Sequence, residues 1–190
     1  MIIKVCGMRE PQNIREVAAL AINWIGFIFY ERSKRFVERC PTEQQATDSE
    51  QLSPKKVGVF VNATIESMME KASAYKLDYL QLHGNESPED CHTLQKRGYS
   101  LIKAFPIATK EDFEKTREYE GRVDYFLFDT RCEGYGGSGK RFDWSILTEY
   151  KGETPFLLGG GIRPENAEAI RNFRHPRLAG IDLNLSLIHI

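Results

Sequence analysis

One feature constrains this chain more than any other: short apolar runs alternate with longer amphipathic or polar stretches along almost its whole length. The apolar runs read as strands at 2–6, 24–29, 57–61, 77–83, 100–105, 124–129, 155–158 and 178–183. The stretches between them read as helices at 11–21, 64–75, 87–97, 109–119 and 164–173, with weaker helical character at 42–52 and near 143–150. Pro11 suits the first position of a helix, and Ile14, Val17, Ala18 and Ala21 recur at helical spacing. Ser87-Pro88-Glu89 places a capping residue before such a proline, and Asn62 or Thr64 is the expected cap of the helix that ends at 75. Strict strand–helix alternation requires parallel strands, because crossovers rather than tight hairpins join them. Eight such units predict an α/β chain folded as a (β/α)8 TIM barrel, a single domain over 1–190. Six units would favour an open doubly wound sheet, but no G-x-G-x-x-G follows the first strand. The last strand is followed by Asn-Leu-Ser-Leu-Ile-His-Ile, in which 185–190 looks atypical and too short for an eighth helix. The barrel is therefore expected to lack its last helix, which would expose apolar surface and favour low stability or self-association.

Hydrophobic residues make up 41% of the chain and charged residues 28%, with a formal net charge of -1. That balance gives no reason to expect nucleic acid or an anionic membrane as partner. No apolar run approaches the roughly 20 residues that span a bilayer. The opening Met-Ile-Ile-Lys-Val-Cys-Gly-Met-Arg-Glu is charged too early for a signal peptide, so a cytoplasmic chain is expected. Cys6, Cys40, Cys91 and Cys132 form no Cys-x-x-Cys pair, which argues against a zinc knuckle or a redox dithiol.

In such barrels ligands meet the C-terminal ends of the strands. Those ends carry Cys6-Gly7, Ser33-Lys34-Arg35, Val61-Asn62, Gln81-Leu82-His83-Gly84, Lys103-Ala104-Phe105, Asp129-Thr130, Gly159-Gly160-Gly161 and Asp182. Cys6 and Asp129 could form an acid–base pair across the mouth; equally, Cys6 could be a small buried hydrophobe and Asp129 a helix cap. Glycines 159, 160 and 161 before Arg163-Pro164-Glu165 resemble a phosphate cradle, because backbone amides and a helix start favour an anion. Arg35 could fork onto a carboxylate or lie in solvent. His83 could act in catalysis or be a satisfied structural histidine, and Asp182 could hold a substrate hydroxyl or close the barrel. The loop 134–140 does not match a Walker A motif, and a lid over the site is expected there, with Gly137 as a candidate substrate contact.

Taken in order, several segments resemble one known family. Lys4-Val5-Cys6-Gly7-Met8 resembles the first-strand motif of phosphoribosylanthranilate isomerases. Gly26-Phe27-Ile28-Phe29-Tyr30 with Ser33-Lys34-Arg35 resembles their second. Val57 to Asn62, Leu80 to Gly84, Phe128-Asp129-Thr130 with Gly136-Gly137-Ser138-Gly139, and Leu158 to Ile162 with Pro164-Glu165-Asn166 follow in register. The resemblance implies a tryptophan-biosynthesis isomerase working by an Amadori rearrangement on a phosphorylated small molecule. It implies Cys6 as general base, Asp129 as general acid, Arg35 on the anthranilate and the strand-7 glycines on phosphate. It also implies no metal and no cofactor. A monomer or homodimer is the expected state. Two alternatives stay open: another phosphosugar-processing barrel, for which Lys103 is a candidate lysine with no evident Glu partner at a strand end, or a non-catalytic binder of phosphorylated ligands.

Overall fold

The computed structural model describes residues 1–38, 54–130 and 144–184. Eight parallel strands run in sequence order around a closed barrel: β1 Ile2–Cys6, β2 Trp24–Ile28, β3 Lys55–Phe60, β4 Tyr79–Leu82, β5 Ser100–Ile107, β6 Tyr125–Thr130, β7 Phe156–Gly159 and β8 Leu178–Asn184. The seam is the β1–β8 pair, where Ile2 to Cys6 run beside Gly180 to Asn184. Around the barrel lie α1 Pro11–Ala18, α2 Ile65–Tyr75, α3 Pro88–Lys96 and α4 Ala167–Asn172, with 3₁₀ segments at Lys110–Tyr119, Trp144–Glu149 and Pro164–Asn166. Among the described residues no helix follows β8, and none is long and apolar enough to cross a membrane. The expected weak helix at 42–52, the loop at 134–140 with Gly137, and the segment 185–190 lie outside the described residues.

Alternation along each strand divides its residues between two apolar compartments. Outward-facing Leu80, Leu82, Phe105, Phe126, Phe128 and Phe156 pack under the helices against residues such as Met68, Leu94 and Phe113. Inside the barrel, Trp24, Val57, Ile102, Leu127 and Leu157 form a second cluster. At the N-terminal end Trp24, Tyr79 and Tyr125, the first residues of three even-numbered strands, close the floor. Trp24 stacks on Tyr79 at 4.5 Å and meets Tyr125 edge-on at 5.2 Å between centroids. These rings cover the N-terminal end of the barrel, opposite the strand ends that carry the candidate polar residues.

Local chemistry explains most helix starts. Thr64, not Asn62, caps α2, its side chain accepting from the Ser67 N–H. Asn62 instead adopts φ 52° and accepts a bond from Asn85 N–H, tying the β3 and β4 loops together. Ser87 and Asp90 form a reciprocal capping box on α3, with Pro88 at its first position. Two expected helices take the tighter 3₁₀ form. At Lys110–Tyr119 the residues that turn inward are Phe113, Thr116 and Tyr119; at Trp144–Glu149 they are Trp144 and Leu147, followed by Tyr150. Spacing of three lines up along one edge when each turn holds three residues. Helix α1 ends at Ala18 rather than 21, where the chain turns to bring Asn23 onto β1. The Asn23 side chain accepts from Ile3 N–H at 2.8 Å, and its own N–H donates to the Ile3 carbonyl at 2.9 Å.

Candidate active site

The inner face of β1 carries Lys4 and Cys6, one above the other. Room for the thiol comes from Gly26 on β2, which is paired in register with Cys6. A Cβ on Gly26 would lie 2.8 Å from the Cys6 Sγ, closer than packing allows. Lys4 is fully buried, and its Nζ lies 2.9 Å from Asp182 Oδ1 on β8. Burial pushes the Cys6 thiol above its ordinary range; the Lys4 ammonium and the Arg35 guanidinium pull it back, while Asp182 adds to the rise. Burial acts to lower Lys4, but Asp182 and Cys6 outweigh it and hold the ammonium above its usual value. Asp182 is raised by burial, opposed first by Lys4, and it also feels His83 and Asp129. Groups from β1, β4, β6 and β8 thus share one electrostatic neighbourhood.

Arg35 reaches this neighbourhood because the residue after Cys6 is glycine. Gly7 has φ 83°, and a Cβ there would meet the Arg35 Cδ at 2.7 Å. The arginine stem therefore lies against the β1 backbone, beside the thiol. Its loop is held by the Arg35 N–H donating to Ser33 Oγ at 3.2 Å and by Arg9 donating to the Lys34 carbonyl at 3.2 Å.

Across the mouth, His83 follows β4, and its Nε2 lies 3.7 Å from Asp129 Oδ2 on β6. Both side chains are about a third exposed, as a ligand-facing pair should be. The buried Gln81 side-chain Nε2 lies 2.9 Å from His83 Nδ1. With Gln81 donating, the ring proton sits on Nε2 and faces the carboxylate.

The loop carrying His83 rests on an ion pair that the sequence did not reveal. Lys103 does have a glutamate partner: its Nζ lies 3.1 Å from Glu86 Oε2, and both side chains are 3% exposed. Lys103 also donates to the Gly84 carbonyl at 2.7 Å and the Leu82 carbonyl at 3.3 Å, while Glu86 accepts from the N–H groups of Asn62 and Gly84. Yet Lys103 lies on the helix side of β5, over the Phe105 and Tyr119 rings, because its neighbours Ile102 and Ala104 fill the barrel interior. It is not placed at the mouth as the catalytic lysine of another phosphosugar barrel would be.

At the end of β7, Gly160 and Gly161 have φ 78° and 62°, values that other residues reach only with strain. Asn166 closes the turn, accepting from Arg163 N–H and donating to the Gly161 carbonyl, each at 2.7 Å. The following helix is shorter than expected, a 3₁₀ turn leading into the six-residue α4, so it offers little helix dipole at this end of the barrel.

The sequence model of a family described as N-(5'phosphoribosyl)anthranilate (PRA) isomerase matches residues 3–187. The chain belongs to the PRA isomerase family. A relative from Parabacteroides distasonis, N-(5'-phosphoribosyl)anthranilate isomerase, is 98% identical over 184 residues, which span 97% of this chain and 83% of that protein. The crystal structure of phosphoribosyl anthranilate isomerase from Thermotoga maritima superposes with a TM-score of 0.85 at 30% identity, covering all of this chain and 91% of that one. A second PRA isomerase structure, in complex with reduced 1-(o-carboxyphenylamino)-1-deoxyribulose 5-phosphate, gives a TM-score of 0.82 at 26% identity, over all of this chain and 90% of that one. The expected Cys6, Arg35, His83, Asp129 and Gly159 to Gly161 stand at the C-terminal ends of strands or in the loops that follow them, and Asp182 lies two residues before the end of β8, opposite Lys4. Sequence reading missed Lys4 as part of that group. The signal was present: a lysine alternating with Cys6 along a strand must point into the same barrel.

Proposed function

We propose that this chain converts N-(5-phosphoribosyl)anthranilate to 1-(2-carboxyphenylamino)-1-deoxyribulose 5-phosphate in tryptophan biosynthesis, with Cys6 as general base and Asp129 as general acid. The observation that carries the reading is the meeting, at one mouth, of a buried thiol flanked by two cations and a partly exposed carboxylate flanked by an imidazole. An aldose-to-ketose isomerisation needs those two functions: a proton donor at the ring oxygen and a base at C2.

In this reading Asp129, in its acid form, protonates the furanose oxygen. The C1–O bond breaks with its electron pair going to oxygen, and the nitrogen lone pair forms the C1=N bond of a Schiff base. The Cys6 thiolate then takes the C2 proton. The C–H electrons form C1=C2, and the C=N pair returns to nitrogen, giving an enolamine. Tautomerisation adds a proton at C1 and removes one from O2, which restores both side chains. Arg35 forks onto the anthranilate carboxylate, the amides of Gly159, Gly160 and Gly161 hold the phosphate, and His83, Asp182 and Gly137 contact the sugar-phosphate portion. No metal or cofactor enters these steps. The same reading places the protein in the cytoplasm as a monomer or homodimer.

The test is a continuous assay of the purified chain with N-(5-phosphoribosyl)anthranilate made in situ. Loss of the substrate's fluorescence should accompany a chromatographically distinct ribulose product. Decay at the uncatalysed rate, or release of free anthranilate alone, would refute the assignment.

A further inference from the structure

Lys4 has no part in the proton transfers just described, yet it shares the inward face of β1 with their base. It is fully buried, its Nζ lies 2.9 Å from Asp182 Oδ1, and it precedes Cys6 by two residues on the same inward face of β1. A buried ion pair is a poor way to fill space, since apolar residues of similar volume are often at least as stabilising. The other groups facing Cys6 are Asp182 from β8 and Arg35 from the loop after β2, while β2 itself presents Gly26 with no side chain. His83 from β4 and Asp129 from β6 act on Asp182 in turn. Of the charged groups acting on the sulfur, Lys4 is the strongest.

We propose that Lys4 is a positioning residue that favours the proton-accepting thiolate of Cys6 against the burial that opposes it, and that Asp182 holds Lys4 in place to do so. The inference rests on the reading of Cys6 as general base. Without Lys4 nothing of comparable strength opposes the burial of the thiol, and Arg35 is occupied by the anthranilate carboxylate once substrate binds. Asp182 serves here as the anchor of the lysine, through a contact that exists without substrate.

The experiment follows alkylation of Cys6 by iodoacetamide against pH, resolved to the Cys6 peptide by mass spectrometry, in the intact wild-type chain, K4M and K4M/D182N. In K4M the inflection moves up by about 1–3 pH units, the usual effect of removing an adjacent opposite charge. The double variant leaves no unpaired buried carboxylate to threaten folding. It still shifts upward, by less, because Lys4 acts on the sulfur more strongly than Asp182 does. In K4M, which leaves the substrate-contacting groups in place, the pH profile of kcat moves with the thiol, while KM changes little. A folded K4M/D182N protein whose Cys6 inflection coincides with that of the wild type overturns the proposal. If the inflection moves but C6A isomerises substrate at the wild-type rate, the general-base reading fails while the Lys4–thiol link stands.

Discussion

At the scale of single residues, the site depends on two glycines as much as on its reactive groups. Gly26 gives the Cys6 thiol its space, with an added Cβ only 2.8 Å from the sulfur. G26A should therefore push the thiol aside and lower kcat by about a hundredfold, the scale of an ångström's misplacement. Steady-state kinetics on the folded variant would check this, and an unchanged kcat would refute it. Gly7 combines φ 83° with contact to Arg35. G7A should cost roughly 1–2 kcal/mol from the left-handed backbone and raise KM by displacing the guanidinium. The thiol itself sets a pH dependence. Because burial holds Cys6 above the ordinary cysteine range, it is mostly protonated at neutral pH, so kcat/KM should climb as the thiolate forms. A profile that is flat or falling between about pH 7 and 9 would contradict a thiolate base.

At the scale of elements, the β4 loop that presents His83 is held from behind by Lys103 and Glu86. K103M strands a buried carboxylate and should cost about 3–5 kcal/mol in urea unfolding, whereas K103M/E86Q should recover part of that loss. This pair also shows why part of the site was hidden in the sequence. Both faces of a barrel strand are buried, so the apolar residues around Lys103 do not reveal which side faces inward. Only the register of β5, with Lys103 beside Leu82 and Phe126, puts it on the helix side. Glu86 is in a loop, where no periodicity points to a partner. By contrast, the two 3₁₀ segments were legible in principle. Phe113, Thr116 and Tyr119, then Trp144, Leu147 and Tyr150, repeat at three with no apolar residue at Arg117 or Thr148 to continue an α-helical stripe. The caps at Ser87 and Thr64 were legible because capping is local chemistry.

At the scale of the whole molecule, the barrel was readable because eight alternating units leave few other architectures, and the catalytic candidates because they lie at strand ends. The buried pair that tunes them was not, since Lys4 and Asp182 meet only when the barrel closes between β1 and β8. Stability of the closed barrel should also depend on pH through His175, which joins the segment before β7 to the start of β8. Its Nδ1 accepts from Arg177 N–H at 3.0 Å, and its Nε2 lies 3.2 Å from the Tyr150 carbonyl. Burial lowers this histidine's pKa below the ordinary value. Its contribution is therefore fully present above about pH 6.5, the unfolded value, and is lost as pH falls through the lower folded value. The thermal unfolding temperature should fall over that acid window, and H175Q should flatten that part of the curve. An unchanged acid limb in H175Q would exclude His175 as its source.

The most direct test of the central claim is kcat/KM for N-(5-phosphoribosyl)anthranilate in C6A and D129N beside the wild type, each confirmed as folded. A general base and a general acid each contribute on the order of 10²–10⁴-fold, so each variant should lose activity on that scale. A folded C6A or D129N protein that isomerises the substrate at the wild-type rate would contradict the account.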